Sequence, residues 1–402
     1  MKQLKRPLAG ALLCLWATGA WAEALWKVEV TDTNNFQTLS VESAEELSLG
    51  QDPALMAYVM ERVRFAGHSD PDLFIEVMDW VASQWQHDGM NQPPAGMSSL
   101  EILKSVHEQG ERYRCVEYGQ VMADILSAMG HHSRQIGLQS TDVAYGGFAM
   151  GHVATEVWSN ALNKWVFFDP QFSIYAQHQG QYLNVYDIFA LKQAGQFEAI
   201  DFVITPAFAA ANALEPQSVA KEYAGFLGNY LGFHTSSRHL YGKRQRVYLM
   251  MEAQQPALTF QGMGSESLRV FTRMPEVAYP QLNQTLVSLT ALPSDNDDGN
   301  FQKVMETFDI QTNEDYLAHM WRVAARGELS MQLHSAMNGF DRFQVRHNGG
   351  PWQDLEGDRH SLTLSQGANR FEARSVSALG VLGPVTFIEV HYGPDESEDP
   401  KA

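Results

Sequence analysis

Apolar residues recur at helical spacing through the first third of the chain and at period two further along. Residues 53–66 (PALMAYVMERVRFA) and 71–86 (PDLFIEVMDWVASQWQ) carry apolar side chains at every third or fourth position, which predicts two amphipathic helices. Asp52-Pro53 and Asp70-Pro71 each set a capping residue before a proline at the first helical position. A third helix is expected over 98–109, with Ser98 or Ser99 as its cap. A fourth is expected over 115–129, where Val116, Val121, Ile125, Leu126 and Met129 lie near one face and Gly130 stops it.

The period then changes. RQIGL (134–138), HVATEVW (152–158) and KWVFFD (164–169) read as strands, with SNALNK as the turn between the last two. Pairing Trp158 with Trp165 would leave His152 and Asp169 as diagonal neighbours, about 7–8 Å apart at Cα and on one face. Helical pattern returns at 185–194 and near 217–231. From about 245 the chain alternates again: RVYLMM, LRVFTR and TLVSLTAL, then FQVRHNGGPWQDL with its Asn348-Gly349 hairpin signal. From that segment onward the pattern of a strand, a Gly-Trp turn, Leu-Thr-Leu, Gly-x-Asn, an alternating strand, a Gly-x-x-Gly turn and a last strand resembles bacterial immunoglobulin-like domains. A division near 240 is therefore expected, with an α+β unit before it and a β-rich unit over 241–393.

The ends change the picture. MKQLKRPLAGALLCLWATGAWA has a basic start (Lys2, Lys5, Arg6), a short apolar run (Leu8 to Leu15) and Ala20-Trp21-Ala22 as a small-x-small cleavage site. That predicts an export signal over 1–22, too short in its apolar part to span a membrane, and a periplasmic or extracellular mature chain. Formal charge is −19, and losing the three basic residues of the leader makes the chain more acidic still. Such a balance disfavours nucleic acid and anionic lipid as partners. The tail 394–402 is acidic and expected to fray. DNDDGN (295–300) lacks the ligand spacing of a calcium loop and reads as a solvated turn. Of the 2 Cys, Cys14 goes with the leader, which leaves Cys115 with no internal disulfide partner.

Cys115 follows the polar run GERYR and opens the predicted helix, where free N–H groups and the helix dipole favour a thiolate and can hold an oxyanion. With His152 and Asp169 behind it, the order is thiol, imidazole, carboxylate, the set used for acyl transfer. The stretches GERYRCVEYGQVMADILSAMG, GHVATEVW and KWVFFDPQ resemble the core of the transglutaminase-like superfamily, over roughly 75–175. The resemblance extends to Arg134 after the small-residue turn, to His152-x-x-x-Glu156-Val157 and to Asp169-Pro170. It departs at Val153-Ala154-Thr155, where tryptophan is common.

The resemblance implies a papain-like α+β fold. It also implies catalysis by Cys115, His152 and Asp169, an upstream oxyanion side chain among Trp85, Gln86 and Tyr113, and no cofactor or metal. His131 and His132 read as turn residues rather than metal ligands. The expected substrate is a protein, a peptide or a cell-envelope polymer. The expected activity is that of a transglutaminase, protease, amidase or deamidase. The rival reading is a non-catalytic scaffold of the same fold that binds an envelope polymer or a protein partner.

Overall fold

The computed structural model describes residues 26–36, 52–67, 70–139, 151–240, 243–251, 268–290, 305–306, 308–319 and 327–394. The expected leader, the DNDDGN turn and the tail beyond 394 lie outside them. The first strand, β1 (Trp26–Thr33), precedes four helices: α1 (Pro53–Met60), α2 (Asp72–Ala82), α3 (Ser99–Gln109) and α4 (Cys115–Ala128). Their ends follow local chemistry. Asp52 accepts the Leu55 N–H at the start of α1. Ser98 and Glu101 form a reciprocal capping box on α3. Gly130, at φ 93°, turns the chain out of α4, and the His131 N–H closes back on the Leu126 carbonyl. Asp70 does not cap α2; its carboxylate takes the Ala161 N–H instead.

One large sheet follows. Its strands are β2 (Ser133–Gln139), β3 (Gly151–Ser159), β4 (Lys164–Asp169), β5 (Ile174–His178), β6 (Gln181–Tyr182), β7 (Asp201–Ile204), β8 (Gly232–Leu240), β9 (Lys243–Leu249) and β10 (Leu268–Thr272). They run in the order β10-β9-β8-β2-β3-β4-β5-β6, with β7 also on β5. Helices α5 (Val185–Gln193), α6 (Pro206–Ala211), α7 (Pro216–Leu227) and the short α8 (Pro275–Ala278) complete this part. An apolar layer covers each face of the central strands. Val157, Val166 and Phe168 join Phe74, Met78, Leu103, Met122 and Ile125 from α2, α3 and α4. Ala154 and Phe167 join Phe189, Tyr223 and Leu227 from α5 and α7, along with Phe233, Val247 and Leu249. This is why β4 reads as the unbroken run VFF rather than as an alternation.

Helix α4 lies unusually close to β3. A Cβ built on Gly119 would stand 2.9 Å from Val153 Cγ1 and 3.2 Å from the Ala154 carbonyl oxygen. Gly119→Ala is expected to lower unfolding stability by about 1 kcal/mol, because overpacking of about 1–3 kcal/mol outweighs the helix-propensity gain of up to about 1. Urea denaturation checks this, and a variant at least as stable as the parent would refute the close-approach argument.

The remaining elements are β11 (Leu286–Thr290), α9 (Asn313–His319), β12 (Glu328–His334), β13 (Phe340–His347), β14 (Gln353–Leu355), β15 (Arg359–Thr363), β16 (Gly367–Ser377) and β17 (Thr386–Pro394). Two antiparallel sheets, β1-β17-β16-β13-β14 and β11-β12-β15, enclose a core of Val287, Met331, Leu333, Phe343, Val345, Leu362, Phe371 and Ile388. The molecule is thus mixed α+β, with a helix-and-sheet part followed by antiparallel sheets.

Two sheet memberships depart from the sequence division at 240. The β8–β9 hairpin runs through that position, and β9 and β10 extend the large sheet. Their side chains Val247 and Leu249 belong to the same apolar layer as Ile136 and Phe233. The change of period there coincides with a change of element type, from α7 to the β8–β9 hairpin. Strand β1, placed by sequence with the first part, pairs instead with β17. The two parts meet at the β3–β4 turn. Trp158 donates to Asn283 Oδ1 at 2.9 Å, and Asn338 accepts the His132 N–H while donating to the Trp158 carbonyl. No described helix is long and apolar enough to cross a membrane.

Candidate functional site

Cys115 is the first residue of α4, so its N–H is among the unpaired donors of a helix start. Glu117 fixes that start. Its buried carboxylate accepts the Arg114 N–H at 3.1 Å and pairs with the guanidinium at 2.8 Å. The partly buried Cys115 sulfur hydrogen-bonds with the imidazoles of His152 and His87 and accepts the Val153 N–H. Burial pushes the thiol up. The two imidazoles, the nearby His152 charge and the Val153 N–H outweigh it and hold the thiol down to about 6.

Strand pairing delivers the next two groups. The register is Trp158 opposite Trp165, as the tryptophan argument required. At the far end of the ladder His152 Nε2 lies 2.6 Å from Asp169 Oδ2, with both side chains buried. That contact leaves Nδ1 for the sulfur. Burial opposes charge on His152. The carboxylate of Asp169 and the sulfur of Cys115 nevertheless hold the imidazole well above its usual range, a direction that favours its charged form beside the thiol. Asp169 is itself held by the Gln171 N–H at 3.1 Å and the Tyr223 hydroxyl at 2.7 Å. Phe172, Phe226 and Tyr230 pack around the imidazole, with ring centroids 5.9, 5.1 and 6.3 Å away.

The upstream candidates fall differently. Trp85 and Tyr113 are buried. Trp85 Nε1 and the Asp88 N–H both donate to the Tyr113 carbonyl, and Tyr118 donates to the Trp85 carbonyl. These two aromatics therefore lock the loop after α2 onto the loop before α4. Gln86 is exposed. The side chain that reaches the sulfur is the next one, His87, which sequence reasoning missed. Its signal was present: a histidine opening the loop HDGMNQPPAG, directly after Trp85 and Gln86.

Arg134 and Glu156, prominent in the motif, lie away from the thiol as a buried ion pair at 2.7 Å. Arg134 also donates to the Ala278 carbonyl, and Glu156 accepts the Val185 N–H and the Tyr279 hydroxyl. His131 stands edge-on to Phe74, whereas His132 is buried with its ring on the Ala336 carbonyl, a contact between the two parts of the molecule rather than a free turn residue.

No family model matches the chain, and no curated protein matches it. Among solved structures, a red sea bream transglutaminase is similar over 93% of this chain and 77% of its own, at 10% identity and a TM-score of 0.21. A likeness that shallow leaves the residues themselves to carry any functional assignment.

Proposed function

We propose that the protein is an exported thiol enzyme that acts on amide bonds, with a transglutaminase-like arrangement of Cys115, His152 and Asp169. The observation that supports this best is the line from the partly buried Cys115 sulfur, at the start of a helix, through the buried His152 to the buried Asp169. A core cysteine needs no such partners. The resting thiolate would attack a carboxamide or peptide carbonyl. Negative charge would then pass from sulfur to the carbonyl oxygen, within reach of the Cys115 N–H and the His87 imidazole. The His152 imidazolium would protonate the departing ammonia or amine and leave a thioester on Cys115. Water or a second amine, deprotonated by His152, would release the acyl group. Proteins, peptides and envelope polymers with amide groups are the substrates this chemistry suits.

Incubating the mature chain with a panel of glutaminyl peptides and peptide amides, then measuring intact mass and released ammonia, tests the proposal. A mass increase confined to Cys115, absent in Cys115→Ala, is the expected outcome. An unmodified Cys115 across the panel, with thiol reactivity no greater than that of free cysteine, would favour the non-catalytic scaffold. His87→Ala is expected to lower kcat about 10–100-fold, toward the lower side of the loss for removal of one oxyanion donor. A variant within twofold of the parent would remove His87 from the mechanism.

A further inference from the structure

We infer that Tyr223 is a positioning residue for the proposed reaction, extending the line from the sulfur to a fourth group on α7. The inference rests on the thiol-enzyme reading. Tyr223 is 3% exposed, and its hydroxyl donates to Asp169 Oδ2, the same oxygen that faces His152 Nε2. Two donors therefore share one carboxylate oxygen, while Oδ1 takes the Gln171 N–H. The phenol fixes the rotation of the carboxylate and divides its pull, so the imidazole is oriented without being held too firmly to release its proton.

Two further contacts hold the arrangement. Lys192 donates to the Gly228 and Tyr230 carbonyls, which caps the end of α7 and fixes the helix carrying Tyr223 and Phe226. Opposite, Ser173 adopts a left-handed φ of 53° while its hydroxyl donates to Asp79, and Thr205 donates to the same carboxylate at 2.8 Å. This pins the turn that follows Asp169. The ionisable side chains around the line are Cys115 on α4, its neighbour His87 after α2, and Tyr223 and Tyr230 on α7 and just beyond it.

Loss of the phenol leaves Oδ2 to His152 alone. The imidazolium is then held more firmly and the thiolate is favoured further. Tyr223→Phe should lower the pH midpoint of Cys115 alkylation by about half a unit, a fraction of one hydrogen bond to a charged group. It should lower kcat about tenfold with KM unchanged, because orientation matters most in the transition state. In an Asp169→Asn background the same change should do nothing more.

The test measures alkylation profiles for the parent, both single variants and the double variant, with thermal unfolding alongside. An unmoved midpoint in Tyr223→Phe, or effects that simply add in the double variant, overturns the inference. So does a collapse of folding in Tyr223→Phe with an additive cycle. A parent whose Cys115 titrates like free cysteine instead overturns the thiol-enzyme reading on which the inference stands.

Discussion

Iodoacetamide should alkylate Cys115 with a pH midpoint near 6, where the thiol is held by its two imidazole partners. A free cysteine titrates near 8.5. At pH 5.5 about a quarter of a thiol of pKa 6 is thiolate, against about a thousandth of a free one. A less basic thiolate is also less nucleophilic, which removes about tenfold of the advantage. The net expectation is alkylation about 20-fold faster than free cysteine at pH 5.5, shrinking to about twofold at pH 7. The acidic comparison is therefore the informative one. As pH falls through the midpoint the ion pair takes up a proton at sulfur and the rate drops. In His152→Ala the partner charge is gone while burial remains, so the midpoint should rise above 8.5. Cys115→Ala should cost at least about 10⁴-fold in turnover, the scale expected for loss of a nucleophile, with the melting temperature nearly unchanged. A parent midpoint near that of free cysteine would contradict this description of the site.

The largest effect on stability is expected at Glu156. Its carboxylate receives two bonds from Arg134, at 2.7 and 3.1 Å, and its other oxygen receives the Val185 N–H at 2.8 Å and the Tyr279 hydroxyl at 3.0 Å. Arg134 lies against the faces of Trp165 and Tyr279, at 4.0 and 4.7 Å, and is not open to water. Glu156→Gln keeps the shape and removes the charge, which strands a guanidinium in the interior. A loss of about 3–5 kcal/mol is expected, or roughly a 10 °C fall in melting temperature. Replacing both residues, as Arg134→Met with Glu156→Leu, should recover part of that loss, since no unpaired charge remains. Chemical denaturation of the single and double variants decides it. A Glu156→Gln variant within 1 kcal/mol of the parent would show that water or another acid compensates Arg134.

What the sequence revealed and what it hid divide by the range of the contact. Ser98 and Asp52 cap helices through neighbours three residues away, and Trp158 and Trp165 fix a register across a short turn. Such contacts leave a local mark. The place of His152 beside Asp169 followed from that register. His87 left a weaker mark, because its position depends on Trp85 and Asp88 both bonding the Tyr113 carbonyl, far along the chain. Tyr223 left none, since it meets Asp169 across 54 residues and looks in sequence like any core aromatic of a helix. The sheet membership of β9 and β10 was hidden for the same reason. Alternation in β9 and β10 states that a strand has a buried face, but not which sheet that face covers.

The pairing of β1 with β17 puts Trp26 opposite Pro394 and Thr33 opposite Ile388. It also sets an order of events in folding. The earliest-made strand waits for the latest-made one, and nearly the whole chain must exist before the five-stranded sheet can close. A contact of that sequence separation makes closure slow compared with the local helices and hairpins. Until it forms, β17 presents an open edge on which a strand from another molecule could add. The side chains of Asn34 and Asn35, bonded to backbone on both sheets at Val385, Phe387 and Val287, act as the latch that ends this exposure.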